Sequence, residues 1–579
     1  MKKWKIQNKF RIQNSEFRID KLIKILLENR GVKSKKEIEE FLNPKLSDVT
    51  AKSVGINKNQ LEEAIKRINK AIRNKEEIII FGDYDVDGIC GSAILWETLT
   101  FLGAEVLPYI PHRLDEGYGL SETGIKNLKF KIKNCSLIIT VDNGIVANKA
   151  VNYANKQGID VVITDHHVPS KNLPKAYAIV HTTKLCGAGV AWLLSQEILN
   201  SKFEILNKSQ NQNTKYKIRD THLELVALAT VADLVPLTEA NRTLVKFGIE
   251  KLRTTKRPGL LALIKEAGIE KELIDVFEIG HIIAPRLNAM GRLEYAMDSL
   301  RLLCTKDPKK AEVLSEKLSS TNKRRQELTI EAFEHAKEKV KSQSIRQAQD
   351  KKSKVKSLIF LGDETYQQGV IGLVAGRLVE EFYRPAIVLS IGEKYSKASA
   401  RSIKGFNIIE FIRTASDLLV DAGGHPMAAG FTVETDKISV LEKKFEELAV
   451  KLLDTEKLKR ILNIDLEVLL SDINFEFYKK LQKLAPFGIG NPTPVFLSKN
   501  LTIDDMRLVG NDGLHLKLRV QKDGKYFDAI GFGLGDRADE IRIGDKIDLV
   551  YTIEEDRWNG NNRIQLKIKD FKISSSSEI

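Results

Sequence analysis

The stretch FGDYDVDGICG, residues 81–91, decides how the chain is to be read. It follows the apolar run IIIF (78–81), sets Asp83, Asp85 and Asp87 on alternate positions, and places Gly88 behind them. Three carboxylates this close repel one another unless a cation sits among them. The nearest familiar pattern is the calcium loop D-x-D-x-D-G with a glutamate at its twelfth position. Counted from Asp83, position twelve is Ile94, which offers no oxygen, and a strand stands where that loop needs a helix. The calcium loop is excluded.

Working outward, the same arrangement returns twice. LIITV (137–141) runs into Asp142-Asn143-Gly144, and DVVIT (160–164) runs into Asp165-His166-His167. Helical segments separate these runs, Ile89 to Leu102 and ANKAVNYANKQG (147–158). Uniformly apolar strands alternating with helices predict a parallel sheet covered on both faces. In such a sheet the carboxyl ends of the strands share one edge, and that edge is the binding crevice. Three acidic turns far apart in sequence therefore converge. Carboxylates mixed with imidazole suit Mn²⁺ or a related divalent ion rather than a thiolate-held structural zinc. Five or more candidate ligands exceed what one open ion needs and fit a pair of ions, the machinery of phosphoester or phosphoanhydride hydrolysis.

Further along, LELVALATVADLVPL (223–237) reads as a buried helix carrying one acid, Asp233, after a polar insertion loop at 207–217. Residues 306–340 read as a long connecting helix with a sparse stripe of Leu314, Leu318, Leu328 and Phe333. The lysine-rich 341–357 reads as a solvated loop. A second α/β unit starts at SLIFLGDE (357–364) and ends near 453, past GGHPMAAGF (423–431). Beyond about 460, LHLKLRV (514–520) and RIQLKIK (563–569) alternate like half-buried strands, with turn signals at Asp512-Gly513, Asp523-Gly524 and Asn559-Gly560. These predict a small antiparallel barrel of the OB type, with His515, Lys517, Arg519, Lys567 and Lys569 on its outer face.

Composition narrows the class. A chain of 579 residues needs several cores. No apolar run of about 18 residues occurs, so no membrane span is expected, and MKKWKIQNKFRIQ lacks the apolar core of a secretory signal. Cys90, Cys135, Cys186 and Cys304 lie far apart and read as reduced, mostly buried thiols of a cytoplasmic protein. The formal charge of +14 suits a polyanionic partner and equally a lysine-rich proteome.

At this point the motifs carry a resemblance. DYDVDG, VDNG, the Asp165-His166-His167 triplet and VADLVP look like the four acidic motifs of the DHH phosphoesterase superfamily. APRLNAMGRL (284–293), GVIGLVAGRL (369–378), ARS (400–402) and GGHPMAAG (423–430) narrow it to the RecJ family of bacterial 5′→3′ exonucleases specific for single-stranded DNA. The similarity runs from about 75 to 575; the first seventy residues and the insertion loops add nothing to it.

The resemblance implies an N-terminal extension (1–74), a DHH catalytic domain (75–240), a helical connector (241–355), a DHHA1-type substrate-binding domain (356–455) and an OB-like nucleic-acid-binding domain (456–575). Asp85, Asp87, Asp142, His166 and Asp233 match the family's ligands for two divalent cations, Mn²⁺ or Mg²⁺, with Asp142 bridging them. Asp83 matches a further acid of the same motif, and His167 a residue close to the scissile phosphate, where it either orients water or polarises a phosphate oxygen. Together with Asp142, these two form the implied catalytic set. Arg113, Arg286, Arg401 and Ser402 resemble a pocket for the terminal 5′ phosphate, which guanidinium forks bind bidentately. Arg286, with Arg292, also has a reading as an interdomain salt bridge. Gly424 lets backbone approach phosphate beside His425 as donor, and Asn288 is substrate-binding by the shared motif alone.

The implied partners are single-stranded DNA, a RecQ-type helicase and a single-strand-binding protein, for a monomer acting in DNA repair and recombination. The strand would thread between the two α/β lobes and be held by the barrel. Two other readings compete. One is a phosphodiesterase for very short oligonucleotides or cyclic dinucleotides, against which the extra β-rich domain argues. The other is a non-catalytic DNA-binding scaffold, disfavoured because all five candidate ligands are present.

Overall fold

The computed structural model describes residues 2–8, 19–113, 115–131, 135–206, 220–349, 357–556 and 563–574. The chain divides into two compact units, both discontinuous in sequence: Gly55–Asp233 with Glu250–Arg460, and Met1–Val54 with Leu234–Ile249 and Ile461–Ile579.

The first unit contains the sheet that the acidic turns demanded. Its five strands are all parallel, in the order Val106–Tyr109, Glu77–Gly82, Cys135–Val141, Asp160–Asp165, Ala178–His181. Alternate residues Ile79, Phe81, Ile138, Val161 and Ile163 bury against the helices Glu122–Lys131 and Asn148–Lys156. The opposite face is covered by Val86–Phe101, Gly187–Leu206 and Leu223–Ala232, which pack on one another. Because both faces are buried, the strands carry apolar residues at every position instead of alternating. The chain steps from Glu77–Gly82 to one side and then returns to its other side, so the order reverses between Glu77–Gly82 and Cys135–Val141. A crevice opens at the carboxyl ends of strands at such a reversal, and here that is where Asp83, Asp85 and Asp142 stand.

Two local departures from the sequence reading have physical reasons. The helix read from Ile89 starts at Val86, because Asp85 is its N-cap: its Oδ1 accepts from the backbone N–H of Asp87 (2.9 Å) and Gly88 (3.1 Å). The acidic turn is itself a helix N-terminus, whose partial positive charge favours carboxylates. The second buried helix stops at Ala232, and Asp233 is its C-cap rather than an internal residue.

The connecting helix runs from Pro308 to Gln349, about 63 Å at 1.5 Å per residue. It thus continues through half of the lysine-rich stretch read as a loop, since KSQSIRQAQ contains neither glycine nor proline; residues 350–356, like the insertion at 207–217 and the turn Asn559-Gly560, lie outside the described residues. The helix packs against Ala284–Leu293 and Ile371–Phe382. The second lobe has five strands, with Ile359–Asp363 parallel to Ala386–Ser390 and then Tyr395–Arg401, Ala428–Glu434 and Leu419–His425 added antiparallel.

The second unit is a closed barrel of Phe496–Val509, His515–Lys522, Lys525–Gly531, Arg563–Ile573 and Lys546–Asp556, the last strand pairing back to the first. Leu516, Leu518, Val520, Leu566 and Ile568 point inward, leaving His515, Lys517, Arg519, Lys567 and Lys569 outside. The start of the chain joins this unit. Strand Lys3–Ile6 pairs in parallel with Ile461–Ile464, and the Trp4 indole donates to Asp570 at 2.7 Å. Among the described residues no helix is long and apolar enough to cross a membrane, and all four cysteines are free, Cys90 and Cys186 being buried.

Arg242 links these pieces. It is 1 % exposed and donates to the carbonyls of Phe41 (3.1 Å), Leu484 (2.8 Å) and Lys483 (3.2 Å). Burial lowers its pKa to about 10, so it stays charged at neutral pH. Arg242→Met leaves three carbonyls without a donor and should destabilise this unit by about 2–4 kcal/mol in denaturant unfolding; a loss below about 0.5 kcal/mol would show that the guanidinium is dispensable.

Candidate active site

The three strand ends bring their acids into contact with His166. Its Nε2 lies 3.1 Å from Asp142 Oδ1, 3.6 Å from Asp233 Oδ2 and 3.7 Å from Asp87 Oδ2. Three overlapping groups have ligand atoms within 4.8 Å of one another: Asp83, Asp85 and Asp142; Asp87, His166 and Asp233; Asp142, His166 and His167. Asp142 belongs to two of them, sitting between the two halves of the cluster.

The electrostatics call for cations. Burial raises the carboxyl pKa values of Asp83, Asp85 and Asp142, and the neighbouring acids push them further. Asp233 is raised to about 9, by burial and by Asp87, Asp85 and Asp83. The Oδ1 atoms of Asp83 and Asp142 are buried with no hydrogen-bond partner. Burial lowers the pKa of His166, in the direction of the neutral imidazole that a metal ligand must be. A buried set of mutually repelling acids, two of them carrying an unsatisfied oxygen, fits a divalent metal centre.

Asp165 has a different task from the other acids. Its Oδ1 accepts from the backbone N–H of His166 (2.7 Å) and His167 (3.1 Å) and sits 2.8 Å from His167 Nδ1, while Oδ2 accepts from Ile145 N–H (2.9 Å). Against the effect of burial, these bonds hold its carboxyl below the ordinary range, and in turn they raise His167. Asp165 therefore orients the two histidines. The other ring nitrogen of His167, Nε2, lies 3.1 Å from the Tyr118 hydroxyl.

Several residues that build the site escaped the sequence reading. Asp87 is fully buried, and both its oxygens accept backbone N–H groups one hundred residues away, from Gly187 (2.6 Å) and Ala188 (2.7 Å). Gly187 is there because nothing larger fits: a Cβ would stand 2.6 Å from Asp142 Cβ and 2.8 Å from its Oδ1. Asn143 ties the strand ends together, donating to the carbonyls of Phe81 and Val141 and accepting from Leu120 N–H. Tyr118 donates to the Asp142 carbonyl at 3.3 Å, at a residue held in left-handed backbone (φ 63°). The only local sign was the glycine pair in CGAGVAW (186–192).

The remaining predicted residues fall into two groups. Arg113 lies over the Tyr84 ring at 5.2 Å, and Arg401 reaches Ser399 Oγ at 3.1 Å. Arg292 donates to the Gly369 carbonyl; burial and the charge of Arg113 lower its pKa to about 10. Burial and Arg113 also lower Arg401. His425 stacks on His167 with centroids 5.9 Å apart, and Gly424 before it has φ 139°, where a Cβ would collide with Ala428 and Ala429. The second group points elsewhere. Arg286 donates to Ser319 Oγ (3.3 Å) and the Ile282 carbonyl (2.8 Å), apart from the arginines above, and Arg292 joins them instead. The Ser402 hydroxyl donates within its own turn to the Phe406 carbonyl at 2.6 Å. Asn288 accepts from Val86 N–H at 3.0 Å, bracing the first turn of the helix that carries Asp87.

Comparison with known proteins fits this geometry. Residues 77–230 match the DHH family, N-terminal domain, 352–451 the DHHA1 domain, and 464–570 the RecJ OB domain. The Bacillus subtilis single-stranded-DNA-specific exonuclease RecJ is 35% identical over 99% of this chain and 71% of its own length; the Escherichia coli RecJ is 30% identical over 94% and 95%. The chain belongs to the RecJ family of single-stranded-DNA-specific exonucleases. The RecJ crystal structure from Thermus thermophilus in complex with Mn²⁺ superposes with a TM-score of 0.78 at 27% identity, over 99% of this chain and 80% of that one, and the Mg²⁺ complex with 0.73 at 26%. Membership makes the chain a metal-dependent exonuclease, with Mn²⁺ or Mg²⁺ as its cations, and sets aside the dinucleotide phosphodiesterase and the non-catalytic scaffold.

Gly187 offers a test that replaces no candidate ligand. Gly187→Ala pushes a methyl group onto Asp142, so nuclease activity should fall about a hundredfold or more while the protein keeps its far-UV circular dichroism and cooperative unfolding. Unchanged activity would show that Asp142 need not hold its position.

Proposed function

We propose that the chain removes nucleotides from the 5′ end of single-stranded DNA, and that Arg113, Arg292 and Arg401 hold the terminal phosphate. One observation carries this reading. Close to the acids of the metal centre, with Arg113 over the Tyr84 ring, stand arginines with no carboxylate at salt-bridge distance among the described residues. Other buried arginines of the same unit are matched, Arg257 with Glu97 and Glu224, Arg67 with Glu76 and Asp160. Partly buried guanidinium groups without an acidic partner call for an anion from outside. A terminal phosphate held there places the first internucleotide phosphate over the acids, and only a chain end satisfies both.

Asp83, Asp85 and Asp142 would hold one cation, and Asp87, His166 and Asp233 the other, with Asp142 shared. The cations, when bound, activate water and stabilise charge on the phosphoryl group. The protein's own part is positioning and proton handling. Asp165 fixes His167 through Nδ1, leaving Nε2 beside Tyr118 to hold or pass on a proton. His425, whose pKa is lowered by burial and by the neighbouring histidines, would donate to a phosphate oxygen from the opposite lobe. Gly424 lets that strand end bend towards the substrate. The domain assignment, the repair and recombination role and the helicase and single-strand-binding-protein partners belong to the same proposal.

Digestion of single strands labelled at one end decides the polarity. The 5′ label should appear at once as mononucleotide while the 3′ label stays in long fragments. Arg401→Ala should slow 5′-phosphorylated strands at least about tenfold more than 5′-hydroxyl strands. Early release of the 3′ label would contradict the proposal.

A further inference from the structure

We infer that a cavity at the far end of the helix Val86–Phe101 is a second binding site, for a nucleoside 5′-monophosphate whose base carries an amino group. It measures about 950 Å³, within the range of small-molecule sites, and lies wholly in the unit that holds the metal centre. Its walls are the last turns of Val86–Phe101, the start of Leu223–Ala232, the turn at 254–258 and residues 304–306. None of the candidate metal ligands lines it, nor do Arg113, Arg292 and Arg401. Glu97, on its wall, stands ten residues from Asp87 along one helix, about 15 Å.

The polar groups of the wall are short of donors. Arg257 spends its guanidinium on partners already present. Its Nε donates to Glu224 Oε1 (3.1 Å), Nη1 and Nη2 to the two oxygens of Glu97 (2.5 and 2.9 Å), and Nη1 also to the Leu303 carbonyl (2.9 Å). His222, in left-handed backbone (φ 63°), has Nδ1 3.3 Å from Glu97 Oε2; burial lowers its pKa, in the direction of the neutral ring. Two carboxylates therefore share one guanidinium, and Glu224 Oε2 has no hydrogen-bond partner among the described residues. Thr98, which also lines the cavity, is 3 % exposed and its hydroxyl is buried without a partner.

The rim has the opposite need. Lys256 and Lys306 are exposed there with no carboxylate at salt-bridge distance among the described residues. Lys256 stands just before the helix Pro258–Glu266, whose start no side chain caps and whose dipole favours an anion. Trp96 and the exposed Phe101 add aromatic surface to the same walls. A ligand that answers all of this has a flat ring, N–H donors on its edge and an anionic group at its other end. A nucleoside monophosphate is such a molecule, and an exonuclease releases nucleotides where it works. Among the bases, guanine sets two adjacent N–H donors against one carboxylate, whereas thymine has a single N–H.

Equilibrium dialysis of labelled dGMP against the full chain, without divalent cations, tests the inference. The parent should bind dGMP, and the affinity should fall at least about tenfold in the Lys256→Glu, Lys306→Glu double variant. That variant should keep its exonuclease rate with Mn²⁺ within about twofold of the parent, since neither lysine belongs to the catalytic cluster. Binding should survive Arg401→Ala, which separates the cavity from the proposed terminal-phosphate pocket. In the parent, dTMP should bind at least about threefold more weakly than dGMP, and Glu224→Gln should erase the difference. No binding of dGMP at millimolar concentration would overturn the inference. So would binding lost in Arg401→Ala but kept in the lysine variant, which would place the nucleotide in the catalytic cleft alone. Deoxyribose 5-phosphate bound as tightly as dGMP would mark a patch for any anion, and equal affinity for dGMP and dTMP would leave the base unread; either result would overturn it too.

Discussion

Repulsion among buried carboxylates is the constraint around which the catalytic lobe is built. Asp83, Asp85, Asp87, Asp142 and Asp233 crowd into one cluster with His166, in which Asp83, Asp87 and Asp142 are buried and Asp233 keeps some exposure. Folding brings them there only because other groups answer part of their charge. The N-terminus of Val86–Phe101 serves Asp85, and that of Gly187–Leu206 serves Asp87 through two N–H groups. Asp165 is satisfied by four donors and spends its charge on aiming the histidines. What is left over, the unmatched oxygens of Asp83 and Asp142, is the share left to the cations.

The opposite imbalance exists close by. Arg113, Arg292 and Arg401 have no acids at salt-bridge distance among the described residues, although carboxylates abound elsewhere on the molecule. Near Tyr84, acids that call for cations stand close to arginines that call for an anion. On the proposed reading a phosphodiester chain with a phosphorylated end would satisfy both, and specificity for ends would follow from that complementarity rather than from any single contact.

Much of this was legible because it follows from local rules. Acids directly after apolar strands point to one edge of a parallel sheet, so the convergence of Asp83, Asp142 and His166 needed no coordinates. The N-cap role of Asp85 was hidden because a D-x-D-x-D run scores as a turn before it scores as a helix start. Gly187, Tyr118 and Asn143 were missed because their partners lie 23 to 100 residues away, and such contacts leave no periodicity. Arg286 and Arg292 show the same limit: both occupy one motif, and only the structure shows that Arg292 feels the charge of Arg113 while Arg286 bonds to Ser319 and Ile282. Asn288, read as a substrate contact, also accepts from Val86 N–H at the start of the helix that carries Asp87, a bond its motif did not announce. The opening seventy residues, silent in the sequence, divide between the catalytic lobe, through Lys58–Asn74, and the barrel, through Lys3–Ile6.

On the proposed reading one shared carboxylate, Asp142, joins two cation sites. Titration of the full chain with Mn²⁺, followed by electron paramagnetic resonance, puts this to the test. Two ions per chain with a spin-coupled signal are expected, with loss of the coupling in Asp142→Ala while the protein remains folded. A single ion at saturation, or two ions whose signals are independent of each other and of Asp142, would contradict it.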